Sequence, residues 1–299
     1  MKLSYHLEYA GLASLAAFCR ALPRAAALTV GAAVGEIGWL LRLRRSLVLS
    51  NIAQAFPALP APDCRRLGAR AARNFGRSVV EIVRVAGSDR RRLERIVSFE
   101  GLDALRQAAA GRGAIVVTPH LGPWGLYITA LSTCGLPAAL LAGRQHNPKV
   151  DRFILEIPGT VVHMISKGPA APREVLRCLQ EGRVVMMVAD QDAGPHGQMV
   201  AFLGRSASTL PLPAAIALRH DTPVFALAGH RVGSGDHRVG VWPLPPPPAG
   251  GDEERRRAFT ATINAAFGVA ILAHPEQYFW YHRRWRDWPP ERAGAGDAV

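Results

Sequence analysis

Apolar residues in roughly the first ninety-five positions recur at helical spacing, Ala and Leu dominate, and β-branched runs are few, which predicts a helical region over 1–95. Residues 9–19 (YAGLASLAAFC) form a charge-free run between Glu8 and Arg20. A second run extends from Ala25 to Gly35, ahead of Glu36 and IGWLL, with Pro23 separating the two. Each is well short of the ~20 residues that span a bilayer. PALPAPD (57–63) reads as a loop, with Asp63 placed to cap a long helix carrying Ala72, Phe75, Val79 and Ile82 inward.

From about Phe99 the period changes. GAIVVTPH (113–120), PAALLAG, TVVHMIS, RVVMMVAD, VFALAGHRV and HRVGVWPL are short apolar runs bounded by Gly, Pro or charge, and helical stretches such as PREVLRCLQEG (172–182) lie between them. Such alternation predicts an α/β layered core over 96–290, a mixed sheet flanked by helices. PPPPAGG (245–251) is a surface connector, and the next helix is expected to be capped by Asp252 and to stop near Pro275. Residues 291–299 read as a flexible tail.

Composition narrows the picture. The chain has 299 residues, about half of them hydrophobic, which excludes a disordered segment, a collagen-like fibre and a small disulfide-stapled domain. Cys19, Cys64, Cys134 and Cys178 are scattered, with no C-x-x-C pair and no His at metal-ligand spacing, so they read as small buried hydrophobes. The 36 Lys+Arg against 23 Asp+Glu give a net charge of +13, almost all of the excess arginine. Such a balance points to an anionic partner. Nucleic acid is disfavoured, because no helix-turn-helix, RNP-like strand or zinc finger accompanies the charge. The two apolar runs, Trp39 and the Arg42, Arg44, Arg45 cluster instead predict a helical hairpin that docks on an anionic membrane surface.

Three local groups could carry chemistry. His120, in TPHLGPWG (118–125), ends a buried strand just ahead of a helix, where open α/β sheets gather their sites and a His can act as general base. VADQDAG (188–194) puts Asp190 and Asp192 at the end of another apolar strand, either to orient a base or to form a turn. YFWYHRRWRDW (278–288) is an aromatic and arginine stretch suited to a membrane belt or to internal packing.

Taken in order, the blocks resemble the lipid A biosynthesis (lauroyl/myristoyl-type) acyltransferase family within the lysophospholipid acyltransferase superfamily. NIAQAFP (51–57) is similar to its N-x4-FP segment, FGRSVVEIVR (75–84) to the following helix, and GAIVVTPHLGPWG (113–125) to its strand with a His-x4-Glu/Asp motif. GRQHNPKVDR (143–152) resembles R-x2-NP-x2-D, EGRVVMMVADQDAG (181–194) the G-x-V-x5-DQD-x-G block, residues 201–224 the FFG-x6-TGPA-x3-A-x4-PV region, and PEQYFWYHRRW (275–285) the PEQW-x-W-x-HRRW signature. The resemblance covers nearly the whole chain. It implies a glycerolipid acyltransferase-like fold with a membrane-associated N-terminal hairpin, at the cytoplasmic face of the inner membrane. The implied reaction moves a fatty acyl chain from an acyl carrier protein or coenzyme A thioester to a hydroxyl of a glycolipid or phospholipid, with no cofactor and no metal. His120 is the implied base, with Asp190 or Asp192 as its acid. Trp124, Arg144, Asn147, Gln191 and Arg205 are implied to contact substrate, Arg144 and Arg205 through phosphate or phosphopantetheine. An apolar groove running from His120 past the DQD turn is expected to hold the acyl chain.

Two departures bear on that expectation. The fifth residue after His120 is Gly125, and no carboxylate occurs between Asp103 and Asp151. No arginine or lysine lies between Arg152 and Lys167, where lauroyl-type members carry a further arginine. Either another acid supports His120, or the chain is a silent member that binds thioester, carrier protein or lipid as a partner.

Overall fold

The fold comes from a computed structural model that describes residues 3–286, apart from 87, 89, 144 and 234, together with residue 288. The tail expected over 291–299 and the Arg144 side chain lie outside the described residues. Four helices lead the chain: α1 (Leu3–Ala21), α2 (Arg24–Leu40), α3 (Arg45–Ala55) and α4 (Ala61–Val83). The core then alternates α5 (Arg90–Glu94), β1 (Val97–Glu100), α6 (Leu102–Ala109), β2 (Ala114–Thr118), α7 (Trp124–Thr133), β3 (Ala138–Ala142), α8 (Pro148–Glu156), β4 (Val162–Ser166), α9 (Ala171–Gln180) and β5 (Val184–Val188). After these come β6 (Gln198–Phe202), β7 (Arg205–Thr209), α10 (Leu212–His220), β8 (Val224–Val232), β9 (Asp236–Pro243) and α11 (Asp252–Ala273).

Seven strands form one sheet in the order β1-β9-β8-β2-β5-β3-β4, parallel except for the β8–β9 hairpin, and β6–β7 is a separate antiparallel ribbon. The sheet is therefore mixed, as expected. Alternate residues of each central strand enter opposite cores. Ile115, Val117, Val185 and Met187 pack with α9, α10 and α11 on one face, while Ala114, Val116, Val184 and Met186 pack with α6 and α7 on the other. Burial on both sides is why these strands read as continuous apolar runs without alternation.

The N-terminal helices differ from the expected hairpin. Rather than pairing with α1, α2 lies along α4, where Gly31 and Gly35 meet Ala72 and Gly76 so closely that a Cβ on Gly35 or Gly76 would collide with the opposing backbone. Helix α1 lies against α8, with Tyr9 edge-on to Phe153 at 6.1 Å. The inward face of α4 is correspondingly rotated. Small residues such as Gly68, Ala71, Ala72 and Gly76 are buried, whereas Phe75 remains 40 % exposed and Val79 and Ile82 are only half-buried. Close helix approach selects small side chains at the seam and leaves the larger ones on its flank. Asp63 lies within the first turn of α4 and Pro60 holds the cap position, while α11 is capped at Gly251 rather than at Asp252.

Trp39 is also not an exposed interfacial ring. It is buried over Gly68, with the Arg45 guanidinium stacked 4.7 Å from its ring centre. Among the described residues no single helix is long and apolar enough to cross a membrane. Helices α2 and α3 reach that length and hydropathy only together, and they meet at 94°.

Candidate active site

The site grows from one register. In the parallel pair β2–β5, Thr118 lies opposite Val188, and Ala189 N–H continues the ladder to the Thr118 carbonyl at 3.2 Å. Two residues beyond each strand end, that register brings His120 opposite Asp190, at the carboxyl edge of the sheet where such folds place ligands. Asp190 is 1 % exposed. One of its oxygens accepts from the His120 backbone N–H at 2.9 Å and the other lies 2.6 Å from His120 Nδ1. Burial by itself raises a carboxyl pKa, but the His120 charge, both of these hydrogen bonds and the charge of Arg284 outweigh it and hold Asp190 below its ordinary value.

A carboxylate on Nδ1 fixes the tautomer with the proton there, leaving the Nε2 lone pair free. The Gln191 side-chain nitrogen lies 3.3 Å from that Nε2 and can donate to it. Trp124 stands edge-on to the ring at 5.7 Å, and Phe279 lies against it at 5.8 Å. Gly122, at φ +61°, turns the chain between His120 and α7; a Cβ there would press on the Tyr127 hydroxyl.

The C-terminal segment builds the wall of the site. Phe279 N–H donates to the His120 carbonyl at 3.0 Å, and Gly122 N–H donates to the Gln277 carbonyl at 3.0 Å. Tyr278 is buried beside Asp190, and burial followed by that carboxylate's charge raises its hydroxyl pKa. Arg284, 2 % exposed, donates to the Ser208 and Gln191 carbonyls and to Thr209 Oγ1, so it pins the DQD turn to the end of β7. Burial lowers its pKa. Burial also lowers His282 to about 4, leaving a neutral imidazole within electrostatic reach of Asp190 and His120. From composition the sequence marked 278–288 as a belt or a packing segment, and by resemblance 275–285 as a family signature, but neither placed it as a wall against the His120–Asp190 edge of the sheet.

The other sequence candidates disperse. Asp192 faces away from His120, accepting from Trp288 Nε1 at 2.8 Å and lying 3.4 Å from Arg286. Asn147 is fully buried, capping α8 through Lys149 N–H and donating to Tyr5 O and Glu8 Oε2 on α1. Its side chain ties two helices together. Arg205 is exposed on the β6–β7 ribbon and lines a separate cavity of about 520 Å³ with Ser50, Gln54 and Leu203. Lys167 follows β4 at the catalytic edge; burial lowers its pKa while the Asp190 charge opposes that shift. Gly125 closes on α4, where a Cβ would come within 3.2 Å of Ile82.

An apolar cavity of about 540 Å³ lies between α1, α2 and α4, lined by Leu15, Val30, Val34, Phe75 and Val79 among others, with Tyr281 at its end. Phe75 touches both Tyr281 (5.4 Å) and Phe279 (5.0 Å), and Phe279 touches His120, so an aromatic run joins this cavity to the His120 ring.

The fold also brings Cys178 beside His163 and Glu174, which the linear spacing concealed. The Glu174 carboxylate is already engaged by His163 at 2.8 Å and Arg177 at 2.6 Å.

Comparison with known proteins agrees with this architecture. A lipid A biosynthesis palmitoleoyltransferase of Escherichia coli K12 is 24 % identical over 290 residues, 95 % of this chain and 92 % of its own length. A phosphatidylinositol mannoside acyltransferase of Mycobacterium tuberculosis is 27 % identical over 244 residues, 79 % of this chain and 75 % of its own. Residues 1–287 match the model of the bacterial lipid A biosynthesis acyltransferases, and the chain, an acyltransferase, belongs to that family.

Proposed function

We propose that the protein transfers a fatty acyl chain from an acyl carrier protein or coenzyme A thioester to a hydroxyl of a glycolipid or phospholipid, at the cytoplasmic face of the inner membrane. The observation that carries this reading is the His120–Asp190 pair at the carboxyl edge of the sheet. With Asp190 holding Nδ1–H, Nε2 takes the proton of the acceptor hydroxyl as its oxygen attacks the thioester carbonyl. The new C–O bond forms, the C–S bond breaks, and the imidazolium returns the proton to the departing thiolate. Asp190 stabilises the imidazolium between these steps. Gln191 and Trp124 border the reacting atoms, and in the first turn of α7, where Trp124, Leu126 and Tyr127 N–H already donate to the Gly122 and Pro123 carbonyls, Gly125 N–H is left for the carbonyl oxygen.

The relatives' names, lipid A on one side and phosphatidylinositol mannoside on the other, support a glycolipid acceptor. The apolar cavity beside Phe75 suits the acyl chain: its volume lies within the ~300–1,000 Å³ range of ligand sites. Exposed Leu3, Leu7, Leu15 and Phe18 of α1, Val34, Ile37 and Leu40 of α2, and Leu41 and Leu43 in the turn after it form the membrane-docking surface.

The test is turnover by the purified protein in liposomes, with a panel of acyl thioesters against a glycolipid and a phospholipid acceptor. Acyl transfer that disappears in His120→Ala is expected. Transfer unaffected by that change, or thioester binding with no transfer to any acceptor, would reject catalysis at His120.

A further inference from the structure

Away from His120, on a different set of α4 residues from the apolar cavity, a second cavity of about 380 Å³ is lined by Arg70, Arg73, Asn74, Arg77, Arg231, Glu276 and Gln277. Arg70, Arg73 and Arg77 follow one another at i, i+3 and i+7 on α4 and therefore share a stripe. Like charges at such spacing repel, so the stripe is a cost to the helix unless something anionic meets it. Its internal compensation is thin. Arg70 reaches Glu276 only at 3.9 Å and Arg73 reaches Glu36 at 3.6 Å, both longer than a direct hydrogen bond. Among the described residues no carboxylate comes within ion-pair distance of Arg77, whose recorded partner is Asn74 Oδ1 at 3.4 Å. Burial and the neighbouring Arg231 and Arg73 charges depress the Arg77 pKa, with Glu81 opposing them. Arg231 forms the floor. Glu81 and Asn74 hold its guanidinium rigidly, at 2.5–3.1 Å, and Gln277 braces its backbone on both sides.

We infer that this cavity is a binding site for a phosphate ester, read by the guanidinium forks of Arg73 and Arg77 above a rigid floor formed by Arg231 in its pair with Glu81. Planar guanidinium groups match phosphate oxygens two at a time, which a scattered surface charge does not. The cavity is closed on one side by the Gln277 turn and is sized for a headgroup rather than an extended polyanion. A lipid headgroup and a soluble phosphate ester present the same chemistry here. The site stands independently of acyl transfer at His120, because none of its residues touches that ring.

The experiment compares the parent protein with Arg73→Gln/Arg77→Gln, and with Arg219→Gln/Arg257→Gln, which removes two exposed charges elsewhere. Each is sedimented with phosphatidylcholine vesicles with and without phosphatidic acid, and titrated calorimetrically with coenzyme A. The Arg73/Arg77 variant should lose about tenfold or more in affinity for phosphatidic acid vesicles, for coenzyme A, or for both. Loss on vesicles alone assigns the site to a headgroup, and loss on coenzyme A alone assigns it to a soluble ester. Binding to pure phosphatidylcholine should be unchanged. Arg77→Lys, which keeps the charge and loses the fork, should fall between parent and double variant. Parental affinity of the double variant for both phosphate-bearing probes, or an equal loss in the Arg219/Arg257 control, would overturn the site.

Discussion

Among the described residues two carboxylate–histidine pairs have a buried carboxylate, and they differ in what is left to the ring. In Glu81–His237, Nε2 lies 2.9 Å from the carboxylate, Nδ1 lies 3.1 Å from the Tyr127 hydroxyl, and the ring is wholly buried. Both nitrogens are used, and Arg231 closes the network. In Asp190–His120 the carboxylate is as buried as Glu81, but the ring keeps 20 % of its side-chain surface and one nitrogen toward the cleft. On the proposed mechanism, proton-transfer capacity resides in Nε2, which faces the cleft and meets the Gln191 amide at 3.3 Å rather than a carboxylate or a buried hydroxyl, and not in the pair itself. A saturated pair can only hold structure.

The sharpest way to break this contrast is to remove each partner in turn. His120→Ala and Asp190→Asn should each lower kcat by about 10³–10⁴-fold, the latter because the amide no longer fixes the working tautomer. Both should also melt somewhat below the parent, because each breaks the buried Asp190–His120 pairing that stabilises the ionised carboxylate. Steady-state turnover alongside a thermal melt reads both, and an Asp190→Asn enzyme with parental kcat would remove the distinction.

Next in size, Glu81→Ala leaves the Arg231 charge buried without its partner and should cost roughly 3–5 kcal/mol of folding stability. Turnover per folded molecule should remain, as denaturant melts with active-site titration would establish. His237→Ala should cost less, ~1–3 kcal/mol, by stranding the Tyr127 hydroxyl and one Glu81 oxygen.

Acid should act on both pairs together. Asp190 and Glu81 both have folded pKa values below their unfolded ones; for Glu81, burial is outweighed by the His237 and Arg231 hydrogen bonds and charges. Their stabilisation is complete above the ordinary carboxylate range, near ~4, and is lost as pH falls through the lower folded values. His282, depressed to about 4, adds its own loss earlier, as pH falls from its ordinary ~6.5 toward that value. Melts between neutral and acid pH should therefore show a gradual decline and then a steeper one, and a Glu81→Gln variant should weaken the second part. A flat profile down to the carboxylate range would contradict the His282 assignment.

The smallest effect is expected at the position that looked most damaging in the sequence. Since Asp190 already holds Nδ1, Gly125→Glu should change kcat by no more than a few-fold, and crowding on Ile82 should cost about 1–3 kcal/mol. A large gain in turnover in the same assay would mean that Asp190 does not substitute for the absent acid.

Much of the framework was legible. The central strands announced themselves because burial on both faces makes each a short, uninterrupted apolar run, and Gly or Pro marks their ends. β1 and the β6–β7 ribbon were less visible, since Ser98, Glu100, Arg205 and Ser206 interrupt any apolar pattern. For α4 the helix was evident but its inward face was not. Hydrophobicity favoured Phe75 and Val79, whereas Gly35 and Gly76 let α2 approach so closely that the seam went to small residues and Phe75 was left beside a cavity. Asn147 was readable as a polar motif residue, yet its burial between α1 and α8 depends on a contact between segments more than a hundred residues apart.

By itself the sequence determined the layered α/β class, the His at a strand end, the family to which the ordered motifs point, and the absence of an acid at Gly125, the fifth residue after His120. Those are local properties, fixed by side-chain type and spacing along a few residues. Which acid lies against the His120 ring was decided only by the tertiary structure. Asp190 and Asp192 are near-equivalent in the linear chain, and a continued strand would put both on one face, but β5 ends at Val188 and the chain bends at Gln191, so the two carboxylates part while parallel pairing fixes one register. The Thr118–Val188 pairing puts Asp190 beneath the His120 ring and leaves Asp192 to Trp288 and Arg286, seventy residues of sequence being closed by a single step across the sheet.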